Sequence, residues 1–195
     1  MKGDRLLAEL RGLYESLRVP MRTKWDRDLP FSELLFDRWE RARSLGFGQD
    51  SSAYHLAYFY GQVTVGRHVW IGPYTLIDGT GGGVSIGDYT VVSAGVHIYT
   101  HDTVRWALSG GTAAREHAPV SIGERCYVGS QVVIAKGVTI GPGSVVGAGS
   151  FVNHDIPAGR IAAGIPCRVI GRVEVEADGE VRLVYDSRAG GPAEV

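Results

Sequence analysis

Aliphatic residues recur at every sixth position over one stretch of the chain: Ile122, Val128, Ile134, Ile140, Val146 and Val152. The position after each is Gly123, Gly129, Ala135, Gly141 and Gly147, and then Asn153. The fifth position is small or aliphatic: Cys126, Val132, Val138, Ser144, Ser150. This period is too short for helical solenoids, whose units run roughly 20–50 residues. It is too long for the alternation of a plain strand. It predicts a β-solenoid in which each hexad supplies one short strand and one tight turn. The aliphatic residue points inward and stacks on its equivalents in neighbouring coils, because a single coil cannot bury its own apolar face. Glycine in the next position tolerates the bend. The competing reading, an ordinary sheet protein with Gly-rich turns, does not account for successive hexads in phase.

Upstream, hexads begin at Val65 (VGRHVW), Ile71 (IGPYTL) and Ile77 (IDGTGG). Three added residues, counted as Gly83, Val84 and Ser85, break the phase. The repeat resumes at Ile86 (IGDYTV), Val92 (VSAGVH) and Ile98 (IYTH). From Ile98 to Ile122 the interval is four whole hexads, yet HDTVRWALSGGTAAREHAP lacks the pattern. A loop, 102–119, is expected to leave the coil and return in register. A long irregular insertion in a regular scaffold points to function.

The flanks have other periods. Residues 4–18 carry Leu6, Leu10, Leu13 and Leu17 at helical spacing, with Asp4 as cap and Pro20 beyond the end. Residues 31–45 predict a second helix, capped by Ser32, with Leu35, Trp39 and Ala42 on one face and Gly46 and Gly48 ending it. Both are expected to cover the open top of the solenoid, whose unpaired edge would invite aggregation. Residues 50–62 read as an entry coil. Residues 173–185 alternate around Asp178-Gly179 and predict a β-hairpin with a type I′ turn. The tail SRAGGPAEV is expected to be disordered. The domains are therefore 1–62, helical segment and entry coil; 63–171, solenoid; and 172–195, hairpin and tail.

Composition narrows the class. At 195 residues one domain with appendages is expected. A net charge of −1 gives no electrostatic case for nucleic acid or an anionic membrane. Cys126 and Cys167 both fall in the repeat region, which favours buried free thiols over a disulfide. Charges interrupt MKGDRLLAELRG, so no signal peptide or membrane span is expected, and the location read is cytoplasmic.

The motif aliphatic-Gly-x-x-small-x resembles the hexapeptide repeat of the left-handed parallel β-helix acyltransferases. AAGIPCRVIG (162–171) resembles the end of the repeat domain in the sugar O-acetyltransferases of that superfamily, the galactoside and maltose acetyltransferase type. The resemblance implies a mainly β fold: a left-handed parallel β-helix with N-terminal helices and a C-terminal β-hairpin. The general rule for parallel crossovers would give the opposite hand. It also implies a homotrimer that uses acetyl-CoA, with the donor in a groove between subunits and no metal.

Acyl transfer from a thioester to a hydroxyl needs a base for the acceptor proton and donors for the oxyanion. Histidine suits the first task at neutral pH. His101 stands where the repeat gives way to the loop, and the resemblance implies that it is the general base. Asp102 is a candidate to orient it, but neighbours in an extended segment point apart, so a group from elsewhere in the chain competes. His97, His101 and His117 together raise a rival, a metal site like that of the γ-class carbonic anhydrases, although that family's spacing is missing. The resemblance places Gly129 and Ser130 at the pantetheine arm and Ala148 at the amide that holds the donor. It places Arg168 beside a phosphate of the nucleotide, where guanidinium fits. Asn153 and His154 depart from the Thr-Lys common there. For the acceptor, Asp78 falls near a sugar-binding carboxylate, and Trp106 would stack on a sugar ring or pin the loop.

The resemblance implies acetyl transfer from acetyl-CoA to a saccharide hydroxyl, and the HDTVRWALSGG loop resembles acyltransferases found with surface-polysaccharide biosynthesis. The alternatives are N-acetylation of an amino sugar nucleotide and a non-enzymatic trimeric scaffold.

Overall fold

The computed structural model describes residues 2–186. Three parallel ladders wrap one core. The first stacks Ser52–Ala53, Trp70–Ile71, Val91–Val92, Tyr127–Val128, Val145–Val146 and Arg160–Ala163. Tyr58–Val65 and Leu76–Ile86 each run round a corner, their early residues in the second ladder and their late ones in the third. His97–Tyr99, Val133–Ile134 and Phe151–Val152 complete the second. Val120–Ile122 and Thr139–Ile140 complete the third, closed by a bridge from Ile140 to Ile156.

In the regular part Tyr127 pairs with Val145, Val133 with Phe151 and Ser121 with Thr139, each partner three hexads further along. One coil is therefore three hexads, one for each ladder. The aliphatic first position of every hexad from Ile122 to Val152 is at most 2% exposed, while its predecessor in the strand faces outward. Inward columns of Val and Ile, stacked coil on coil, supply the apolar burial that no coil has alone. Buried fifth-position hydroxyls are satisfied inside the turns: Ser144 donates to Pro157 O (2.9 Å) and Ser150 to Gly147 O (2.6 Å).

Three coils depart from the three-hexad length, the last of them two residues short, with Val146 paired to Ala162 and Ile140 bridged to Ile156. Gly61 pairs with Gly79, but Val63 pairs with Val84, so the interval between partners grows by three at the corner. The three extra residues thus lie within 80–83. Val84 and Ser85, counted from the sequence as additions, are in register with Val63 and Thr64. The next departure is larger. Ile98 pairs with Ile134 and Ile86 with Ile122, both six hexads on, so the excursion adds one coil's length without disturbing the phase.

The N-terminal helices differ from the sequence reading. Helix α1 spans Lys2–Trp25 and carries Pro20 inside it. One missing N–H is tolerated because the face that packs continues past it: Tyr14, Leu17, Arg18 and Met21 are half-buried, and Tyr14 meets Phe31 edge-on at 5.9 Å. Leu6, Leu10 and Leu13 remain exposed in the single chain. The second predicted helix is two, α2 (Phe31–Leu35) and α3 (Arg38–Ser44). Asp37, not Ser32, is the effective cap. Its carboxylate accepts from the N–H groups of Trp39 and Glu40 and restarts the helix. Phe36, extended at the break, stacks on His55 at 4.6 Å. It is α2 and α3 that cover the first coil. Arg41 donates to the carbonyls of Tyr54 and Ala57, and Glu33 accepts from Leu56 N. Burial pushes the Arg41 guanidinium below its usual range, with Glu33 opposing the shift.

After the last coil, Arg168–Val175 runs antiparallel to Arg160–Ala163 and pairs with Val181–Tyr185. The link is the stretch 177–179, closed by Glu176 N to Glu180 O, with Gly179 at φ 88°. A type I′ turn would need two successive positive φ values; here Gly179 alone has one. The tail from 187 lies outside the described residues.

Candidate active site

The excursion leaves at the corner between the second and third ladders. Thr100, fully buried, ties the exit to the previous coil. Its hydroxyl donates to Asp78 O (2.7 Å) and accepts from Gly81 N (2.8 Å). His101–Asp102 then pairs antiparallel with Glu116–His117, and Ala118 N returns to Thr100 O (2.9 Å). Between the two arms sits a short helix, α4 (Val104–Leu108).

A second tie comes from the following coil. The Lys136 ammonium binds the carboxylates of Asp102 and Glu116, and Arg105 adds a 2.7 Å bond to Glu116. The hydrogen bond from Lys136, helped by that from Val104 N, holds the Asp102 carboxyl below the usual carboxylate range. The same pairing, Asp102 first and then Glu116, pushes Lys136 up. Asp102 therefore looks away from His101 and into this clamp.

The group facing His101 is Asp78. Its Oδ2 lies 3.6 Å from His101 Nδ1, with 13% of its side chain accessible against 29% for the imidazole. Asp78 Oδ1 accepts from Thr80 N (2.9 Å) and Thr80 Oγ1 (2.6 Å). Thr80 Oγ1 is itself 3.4 Å from His101 Nδ1. A ring whose Nδ1 faces a carboxylate keeps its other nitrogen, Nε2, on the far side. The chain runs close here: a Cβ on Gly81 would stand 2.2 Å from Thr100 O and 2.9 Å from His101 Cβ.

Clefts flank the corner on both sides. One, of about 630 Å³, lies on the second ladder and is lined by Tyr99, His101, Val104, Lys136, Phe151 and Asn153 among others. The other, of about 380 Å³, lies on the third ladder under Gln62, Gly82, Gly83 and Ala118, beside the outward Thr and Ser column. His117 has its ring 6.0 Å from that of His101, whereas the His97 ring leans on Tyr99 instead.

The residues singled out for the donor gather on another edge, the corner between the first and second ladders. Gly149 N donates to Ser130 O (2.8 Å), which stacks the turns of Ser130 and Ala148. Gly129 has a packing reason of its own, since a Cβ would come within 2.6 Å of Ala148 N. Arg168 is exposed one strand further on, its guanidinium on Cys167 O at 2.7 Å. Trp106 sits in α4 with the Arg115 guanidinium 5.5 Å from its ring and Gly111 against it. It is absent from the lining of both clefts. Thr80, Lys136 and Glu116 belong to no motif that sequence reading picks out. Thr80 falls inside the hexad IDGTGG, and only the structure moves the phase break to 80–83.

The pattern described as the hexapeptide repeat of succinyl-transferase matches residues 62–100 and 119–154, leaving out the excursion. The galactoside acetyltransferase solved in complex with coenzyme A is 30% identical, with a TM-score of 0.58, over 85% of this chain and 82% of that one. The chain belongs to the hexapeptide-repeat acyltransferase family. Galactoside O-acetyltransferase of Escherichia coli (strain K12) is 36% identical over 131 residues, 56% of this chain, and the match spans 64% of that relative's length. The hexapeptide-repeat fold is also that of AntD, an N-acyltransferase from Bacillus cereus solved with dTDP and coenzyme A. It has a TM-score of 0.59 at 23% identity and covers 68% of this chain and 88% of that one. Among the described residues no helix is long and apolar enough to cross a membrane.

Proposed function

We propose that this chain is a sugar O-acetyltransferase that moves an acetyl group from acetyl-CoA to a saccharide hydroxyl. The observation that carries the reading is the Asp78–His101 pair at 3.6 Å, set at the one corner where the repeat opens and flanked by clefts. Family membership and a coenzyme A-bound relative at 30% identity support the donor. His101 Nε2 takes the acceptor proton as the hydroxyl oxygen attacks the thioester carbonyl. Backbone N–H groups hold the tetrahedral oxyanion. Its collapse expels CoA thiolate, which recovers the proton from the imidazolium. Asp78 holds the ring by Nδ1 and stabilises the charge that forms on it, so its first role is orientation, with an acceptor contact secondary.

In this reading residues 63–171 form the catalytic coil, left-handed as in the family, between the helical segment 1–62 and the hairpin 172–195. Three copies assemble, and the donor lies along the edge of Gly129, Ser130, Ala148 and Arg168. The acceptor belongs to surface-polysaccharide synthesis in the cytoplasm. Trp106 is read as a pin for the loop, because its ring is already engaged by Arg115 and Gly111.

The test is CoA release from acetyl-CoA across a panel of saccharides and sugar nucleotides. A neutral saccharide should give the fastest release, and His101→Ala should lower it by roughly 10²–10⁴. Near-normal turnover in that variant overturns the assignment. A loss of only a few-fold, with an amino sugar nucleotide preferred, selects N-acetylation, in which a neutral amine needs the base less.

A further inference from the structure

Two irregularities of the coil meet at a single side chain. The corner of 80–83 holds three residues more than a regular coil, and Thr80 opens it. The excursion begins next to it, with His101. Close approach of the segments is enforced on both sides. Thr100 bridges Asp78 O and Gly81 N, and Gly81 leaves no room for a Cβ over Thr100 O.

The Thr80 hydroxyl has one proton, and the 2.6 Å contact to Asp78 Oδ1 uses it. Toward His101 Nδ1, 3.4 Å away, its oxygen can therefore only accept. Asp78 Oδ2, at 3.6 Å, is an acceptor at the same nitrogen. Two acceptors on Nδ1 favour the proton there and leave the Nε2 lone pair free. We propose that Thr80, at the head of the enlarged corner, is a positioning residue that fixes the tautomer and angle of the His101 ring. The proposal rests on His101 being the base.

The test compares Thr80→Val, which keeps the shape and removes the oxygen, with Thr80→Ser, which keeps the oxygen. His101→Ala and the Thr80→Val/His101→Ala double variant complete the set. Turnover is measured with acetyl-CoA and the fastest acceptor of the panel. The tautomer is read in the free, histidine-labelled protein from the ring nitrogen shifts. Thr80→Val should lower kcat about 10–100-fold, with KM for acetyl-CoA within about twofold, and give mixed tautomers. Thr80→Ser should stay within about threefold of the parent, and the double variant should be no slower than His101→Ala alone. If the valine variant melts well below the parent, Thr80→Ala, which only deletes atoms, takes its place with the same expected loss. Parent-like turnover in Thr80→Val beside an inactive His101→Ala overturns the role of Thr80 alone. Equal damage from valine and serine with an unchanged tautomer overturns it too. Activity surviving in His101→Ala overturns the underlying reading instead.

Discussion

The coils from 119 to 154 and those from 76 to 118 share one architecture and do different work. In the later coils the paired strands are three hexads apart and every first position is buried. In the earlier ones the chain adds three residues at one corner and a whole coil's length at the same corner one coil on, and there side chains of the two coils meet. Stacked identical units supply a frame whose surface lines both clefts and, in the proposed function, the edge along which the donor lies. Where the period breaks, side chains from separate coils are brought face to face. The regular coils hold the frame, and the irregular ones use it.

That contrast can be broken from either side. The largest effect should come from the irregular side. His101→Ala should lose roughly 10²–10⁴ in turnover, with a melting temperature within a few degrees of the parent. The mirror experiment is Ile134→Ala, which empties a fully buried inward position. It should cost about 2–5 kcal/mol of stability while the folded fraction turns over normally. A large catalytic loss from Ile134→Ala, or a large stability loss from His101→Ala, would mean that frame and site are not separable.

The clamp on the excursion should matter less. Lys136→Met leaves Asp102 and Glu116 without their shared cation. Turnover should drop on the order of 10-fold as the loop loosens, and Lys136→Arg should recover most of it. Acid tests the same contact without mutation. Asp102 is held below its usual value, so the clamp is intact above the ordinary carboxylate range near 4 and lost only as pH falls through the lower folded value. Lys136 is held above its usual value, so its side of the clamp fails only as pH rises through that higher value. Loop proteolysis should therefore be flat between about pH 5 and 9 and rise only outside that window. The smallest effect is expected for Trp106→Ala: about a threefold change in kcat/KM and faster loop cleavage. A selective rise in acceptor KM would move Trp106 from loop pin to sugar contact.

Residues 122–152 spell out their coil almost letter by letter, because each inward position needs the same thing: an aliphatic side chain that fits the one above and the one below. The excursion is equally visible, as a place where that demand lapses. The ends of α1 and the break between α2 and α3 are not. Pro20 and Asp37 are local signals whose outcome depends on packing further along the chain. Nor does spacing reveal that Asp102, the neighbour of His101, serves Lys136 instead, or that Asp78 and Thr80 face the ring from the coil before it.

Periodicity alone determined the coil, its core and the point of departure, since those follow from one rule applied at every hexad. Only the tertiary structure decided which carboxylate meets His101, which hydroxyl stands beside it and which lysine ties down the loop. Those contacts join different coils, and their partners depend on how far each irregular corner displaces the chain, a distance that no local pattern encodes.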